Sequence, residues 1–227
     1  MIKEIEKRIL SSIILIPIAF FFIFKGSVFF VFFLSISFFV TIYEWFKMCK
    51  KMNNIKILGS FYLLFSFYLA YLLRIENGFK VFIFVILISI LTDIGGYIFG
   101  KVFKGPKLTK ISPKKTYSGV IGSFILSVFG GLIFVEYVDN FYTDLVLSYT
   151  NFEPFGINLN LFVLIFILIT SLISQLGDLI ISYFKRVAKI KDTGKILPGH
   201  GGLLDRIDGI IFAVPFTYVI FNFGKIF

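Results

Sequence analysis

Gly199-His200-Gly201-Gly202 is followed closely by Asp205, Arg206 and Asp208. The glycine-rich stretch carries little side-chain bulk, so its backbone N–H groups can approach a phosphate as anion-binding nests do. Asp205 and Asp208 are spaced to share one helix face, with Arg206 beside them. Carboxylates so placed suit Mg²⁺, which takes one or two of them together with substrate phosphates and water. Alone, the Asp pair is better explained as a solvated turn entering a helix, with Asp205 favoured by the helix dipole. A second stretch holds Lys107, Lys110, Ser112, Pro113, Lys114, Lys115 and Thr116. Here hydroxyls flank two ammonium groups, a density suited to a phosphate chain. The bland reading is a basic loop attracted to anionic lipid head groups, and it is strong for Lys101 and Lys104.

The elements that position these residues are legible in composition. The chain has 227 residues, 58% hydrophobic and 20% aromatic, with only 16% charged. Soluble domains carry about 25% charged residues, and apolar runs of roughly 20 residues are long enough to cross a bilayer. Seven candidate spans follow: 9–24, 28–46, 55–73, 79–99, 120–138, 161–184 and 209–223. Lipid satisfies no backbone hydrogen bond, so these should be helices. The expected fold is an all-α, polytopic transmembrane helical bundle of about seven spans. Residues 1–90 would be N-terminal transmembrane helices. Residues 91–227 would be a catalytic transmembrane region with cytoplasmic loops at 100–119 and 185–208.

Charge orients the bundle. The net charge is +10, which in a soluble protein would raise nucleic-acid binding. Here the basic residues occupy short loops, and nucleic acid is not an expected partner. With the N-terminus inside, all but Lys25, Arg74, Lys80 and Lys225 of the 23 basic residues fall on one side. That asymmetry fits a cytoplasmic N-terminus. An added re-entrant segment near 140–149 would place the basic loop at 185–206 outside and is rejected. Cys49 is the only cysteine and His200 the only histidine, which excludes disulfides, thiolate metal sites and His-rich metal sites.

An acidic residue at membrane depth costs about 2.5–3.5 kcal/mol on insertion scales, so it tends to face a cavity, a partner or an ion. Asp93 and Asp178 both qualify. Glu44, near a helix end beside Trp45, is expected to snorkel at the interface. No P-loop or dinucleotide fingerprint occurs; Gly194-Lys195 is followed by Ile196.

The run Ser182-x-x-Lys185-Arg186-x4-Lys191-Asp192-x-Gly194-x2-Leu197-Pro198-x-His200-Gly201-Gly202-x2-Asp205-Arg206-x-Asp208 resembles the signature of the phosphatidate cytidylyltransferases, or CDP-diacylglycerol synthases. Thr92-Asp93-Ile94-Gly95-Gly96-Tyr97 with Gly100-Lys101 is similar to that family's Thr-Asp-x-x-Ala-Tyr segment, with Gly96 in place of Ala. Ser112-Pro113-Lys114-Lys115-Thr116 is similar to its Ser-Pro-Lys-Lys-Thr stretch. The resemblance covers the C-terminal two-thirds of the chain, which is short for the family.

The resemblance implies that phosphatidate attacks the α-phosphorus of CTP, giving CDP-diacylglycerol and pyrophosphate for phospholipid synthesis. It implies Asp178 and Asp205 as metal ligands, supported by Asp208. Phosphate or CTP contacts would come from Lys185, Arg186, Lys191, His200, Gly201, Gly202 and Arg206. Ser112, Lys114, Lys115 and Thr116 would complete the phosphate environment, Ser182 belongs to the signature, and Asp192 and Asp93 would orient the bases or contact cytidine. The implied cofactor is Mg²⁺, with a second, monovalent cation as a further candidate. The implied setting is a bacterial-type cytoplasmic membrane with the site facing the cytosol, and a homodimer is a candidate assembly. A CTP-dependent lipid kinase is the competing enzyme; it would release CDP rather than pyrophosphate. A transporter would predict inverted repeats, which are not seen.

Overall fold

The structure is a computed structural model. It describes residues 2–109, 112, 115–138, 159–197, 199 and 201–226, with side chains at 13–109, 112, 115–138, 161–197, 199 and 201–222. Among the described residues the regular structure is all helical. The helices are α1 (Ile2–Lys25), α2 (Ser27–Met48), α3 (Asn53–Glu76), α4 (Gly78–Val102), α5 (Tyr117–Tyr137), α6 (Leu159–Val187), the short α7 (Leu204–Ile207) and α8 (Ile210–Ile226).

Five of them, α2 to α6, are long and apolar enough to cross a membrane, and the apolar stretches Ile13–Lys25 and Ile210–Asn222 are shorter. Each of the seven expected segments therefore coincides with a helix, and among the described residues five are long and apolar enough to span.

Helix α4 is central, packing against α3, α5, α6 and α8. Its closest neighbour is α5, because both present glycines where they cross. A Cβ added at Gly119 would lie 2.8 Å from the Gly96 carbonyl oxygen, and one added at Gly95 would strike the Gly122 carbonyl. Small residues let two backbones approach where lipid supplies no hydrophobic drive for association. Polar groups then knit the crossing. Thr92 Oγ1 donates to Ser171 Oγ at 2.8 Å, and Ser123 Oγ donates to the Thr92 carbonyl at 2.7 Å.

Two apolar clusters fill the bundle. The larger joins Phe30, Leu73, Phe84, Ile88, Phe166, Ile167 and Val214. The smaller joins Trp45, Met48, Cys49, Leu63, Ile181, Leu204 and Ile211, and so seats α7 on the ends of α2, α3 and α6. The outward faces are also apolar, as with Val28, Phe61 and Phe129. That is the surface a helix shows to acyl chains rather than to water.

The two ends of the bundle differ. At one end Arg74 Nη2 donates to the Ile23 carbonyl, Tyr218 donates to Glu76, and Asn222 Nδ2 donates to Asn77 Oδ1. The turn there uses Gly26 at φ +64°, packed on the Arg74 guanidinium. At the other end lie Glu44, Lys115, Asp178, Lys185 and α7, held together by the contacts described next.

Candidate active site

The loop between α4 and α5 folds back on itself. Leu108 N donates to the Lys115 carbonyl at 2.8 Å, and Tyr117 N donates to the Pro106 carbonyl at 3.2 Å. Thr116 closes it as the N-cap of α5, its Oγ1 accepting from Gly119 N at 3.1 Å. This closure carries Lys115 over α6, where its Nζ lies 2.6 Å from Asp178 Oδ2. Ser182, one turn along α6, donates to Asp178 Oδ1 at 3.2 Å. Asp178, Lys115, Ser112, Thr116 and Asp93 line one cavity of about 300 Å³ between α4, α5 and α6. Residues from three separate stretches of sequence thus share one polar recess beside the Thr92–Ser171 contact.

The loop from α6 to α7 supplies the second half. Lys185, only 8% exposed, places Nζ 2.8 Å from Asp205 Oδ1 and 3.9 Å from Asp208 Oδ2. Asp205 and Asp208 therefore do face one side, as their spacing predicts. Asp205 Oδ2 accepts from Thr193 N at 2.8 Å, Thr193 Oγ1 at 3.1 Å and Gly202 N at 3.0 Å. Burial alone would raise the Asp205 pKa, but the Lys185 ammonium and the two backbone N–H groups outweigh it and hold the carboxyl below its usual range. Asp208 is the opposite case. Burial, then the neighbouring Asp178 and Asp93 carboxylates, push its pKa well above the usual range against the pull of the Lys185 ammonium.

Among the described residues no three His, Cys, Asp or Glu side chains form a group that could hold a metal ion. What comes together is the pair Asp178 and Asp208. Neighbouring carboxylates of this kind suit one hard divalent cation, which takes one or two of them with substrate phosphates and water. Asp205 is differently placed: Oδ2 is filled by loop donors, which leaves Oδ1, shared with Lys185, to face a ligand.

The remaining expected residues fall as follows. Gly201 adopts φ +86°, and its carbonyl accepts from Leu197 N at 3.0 Å. The Gly202 N–H points inward to Asp205 rather than outward. Arg186 is exposed, with Nη1 donating to the Ile190 carbonyl at 3.2 Å. Lys191, Asp192 and Arg206 are exposed at the mouth of the loop. Lys114 and His200 lie outside the described residues, as does 139–158, the stretch weighed for a re-entrant segment.

Glu44 corrects the expectation of a snorkelling side chain. It is 0% exposed. Its Oε1 accepts from Leu203 N at 3.1 Å, and its Oε2 accepts from Leu204 N at 2.9 Å and from Thr193 Oγ1 at 3.1 Å. A carboxylate in the last turns of a helix sits at the unfavourable end of the dipole, which favours a partner elsewhere without naming one.

The chain matches a model of the cytidylyltransferase family over residues 51–223. It is 38% identical over 172 residues to a phosphatidate cytidylyltransferase of Brucella suis, covering 74% of this chain and 56% of that protein. It is 40% identical over 146 residues to the phosphatidate cytidylyltransferase of Staphylococcus saprophyticus, covering 64% of this chain and 50% of that protein. A Staphylococcus haemolyticus protein of the same name is 37% identical over 147 residues, again with 64% and 50% covered. The chain spans about half the length of the curated relatives it matches.

Proposed function

The chain belongs to the cytidylyltransferase family, and from that membership and the geometry above we propose that it transfers the cytidylyl group of CTP to phosphatidate. The observation that carries this reading is the convergence of Lys115, from the loop before α5, and Lys185, from the last turn of α6, on carboxylates at one end of the bundle. Both lysines lie within the segment matched by the family model.

A phosphate oxygen of phosphatidate forms a bond to the α-phosphorus of CTP, and the bond from that phosphorus to the β-phosphate bridging oxygen breaks. The products are CDP-diacylglycerol and pyrophosphate. A phosphate monoester has its second pKa at about 6, so the nucleophile is already anionic and no strong base is needed. Two polyanions must instead be neutralised and aligned. Lys115 supplies positive charge beside Asp178, and Lys185 supplies it beside Asp205 and Asp208. Arg186, Lys191 and Arg206 add it at the mouth, where the triphosphate enters. Lys114 and His200 join them by their place in the family signature.

Asp178 and Asp208 would hold Mg²⁺, with Asp205 Oδ1 adjacent. Bound there, the ion would neutralise charge on the transferring phosphoryl group. Asp93, on the far wall of the cavity, is assigned to orienting the lysines or contacting cytidine. The acyl chains stay in lipid beside the apolar outer helix faces. We further propose seven spans with the N-terminus in the cytosol, which puts this end of the bundle where CTP is available.

Purified protein incubated with CTP, phosphatidate and Mg²⁺ tests the reading. The expected result is CDP-diacylglycerol with one pyrophosphate per lipid product. Release of CDP with a newly phosphorylated lipid would overturn it in favour of a kinase.

A further inference from the structure

Glu44 has no part in the reaction as described so far, yet it is the hub of the loop that presents Asp205. Its carboxylate is wholly buried at the end of α2, ahead of the segment that matches the family model. The loop is shaped around it. A Cβ at Gly202 would lie 2.6 Å from Glu44 Oε2, and one at Gly194 would strike Oε1. No side chain fits between this stretch of backbone and the carboxylate.

Three donors converge on Glu44: the Leu203 and Leu204 N–H groups, which begin α7, and the Thr193 hydroxyl. Thr193 in turn donates its backbone N–H to Asp205 Oδ2, and Asp205 Oδ1 meets Lys185. The hydroxyl of Thr193 stands 3.1 Å from both Glu44 Oε2 and Asp205 Oδ2. It has one proton, so it serves one carboxylate at a time while the Thr193 N–H keeps hold of Asp205. The path from Glu44 to Lys185 runs through hydrogen bonds alone, and its members are buried or, at Asp205, partly buried.

We propose that Glu44 is a positioning residue for nucleotidyl transfer, holding Thr193 and the start of α7 so that Asp205 and Lys185 stand in register with Asp178 and Asp208. The proposal rests on the reaction assigned above. Misplacing a reacting group by about 1 Å costs roughly 10²-fold in rate, which gives a carboxylate remote from the substrate a kinetic signature. A purely structural Glu44 would instead lower the melting temperature and the folded fraction, and leave each folded molecule as active as before.

The test uses the full chain in lipid–detergent micelles, as wild type, Glu44→Gln, Glu44→Asp, Thr193→Val and the Glu44→Gln/Thr193→Val double variant. Three quantities are read: kcat and KM per folded molecule, Mn²⁺ affinity by electron paramagnetic resonance without substrates, and melting temperature. Glu44→Gln turns an amide N–H toward backbone N–H donors, so kcat and Mn²⁺ affinity should each fall about 10- to 100-fold, as for other groups that orient metal ligands. Glu44→Asp, which keeps the charge, should recover part of the loss. The double variant should be no worse than the poorer single one, because both break the same path. Glu44→Gln with wild-type kcat and Mn²⁺ affinity overturns the proposal, as does a loss accounted for by the folded fraction alone. If Glu44→Gln does not fold, Thr193→Val decides by the same two readouts. A wild-type protein that binds Mn²⁺ without forming CDP-diacylglycerol would remove the assigned reaction, while the Mn²⁺ series still reads Glu44.

Discussion

At the scale of single residues, the three aspartates expected at the metal site differ in what surrounds them. Asp178 meets a lysine and a serine, Asp205 meets a lysine and loop N–H groups, and Asp208 is buried against Asp178. Asp178→Asn should therefore cost about 10²- to 10³-fold in kcat, the range for losing one charge-stabilising group, measured as CDP-diacylglycerol formed per minute. Lys104→Ala, on an exposed loop residue, should leave that rate unchanged. The elevated Asp208 pKa gives a pH dependence with a definite sign. Below that pKa the folded site holds a proton that a divalent cation must displace. Mn²⁺ affinity should rise with pH through the Asp208 pKa and then level off, and Asp208→Asn should flatten the profile. These residues were legible because each is a costly charge or part of a dense polar pattern. Glu44 was misjudged because its partners are a hydroxyl and two backbone N–H groups 149 to 160 residues away, and no local pattern names such a contact.

At the scale of elements, the helices were readable from apolar length alone, whereas the way α4 meets α5 depends on which glycines face each other. Gly95→Val would drive a side chain into the Gly122 carbonyl, a backbone group that cannot turn aside. Overpacking of this kind costs about 1–3 kcal/mol. The expected outcome is a lower melting temperature together with weaker CTP binding, since this crossing forms one wall of the 300 Å³ cavity. Thr116 offers a cleaner separation of roles. As an N-cap, its replacement by Ala should cost about 1 kcal/mol while Asn preserves the cap. A fall in CTP affinity in both variants, measured beside thermal stability, would report the hydroxyl's contact with phosphate. The inward direction of the Gly202 N–H was also beyond sequence reading. A glycine-rich stretch states that backbone can approach something closely, and not which carboxylate it will approach.

At the scale of the whole molecule, the ends of the bundle are chemically distinct, with the acidic and basic groups of the site gathered at one of them. A cysteine at Tyr137, exposed at the end of α5 away from the site, should react with a membrane-impermeant maleimide on intact cells. One at Lys104, exposed on the site side, should react only after the membrane is opened. Cys49 is buried and stays silent in both. The reverse labelling pattern would invert the proposed orientation. The pairing of Lys115 with Asp178 and of Lys185 with Asp205 has one more consequence. At rest the site is self-neutralising: each ammonium already has its counter-ion, so a triphosphate arrives as a competitor and not as a guest in an empty seat. Capturing a lysine strips a carboxylate of its partner, and the stripped carboxylate is then the natural berth for a cation. Nucleotide and metal are thereby coupled as a single incoming ion pair, and free CTP without its cation should be a poor visitor.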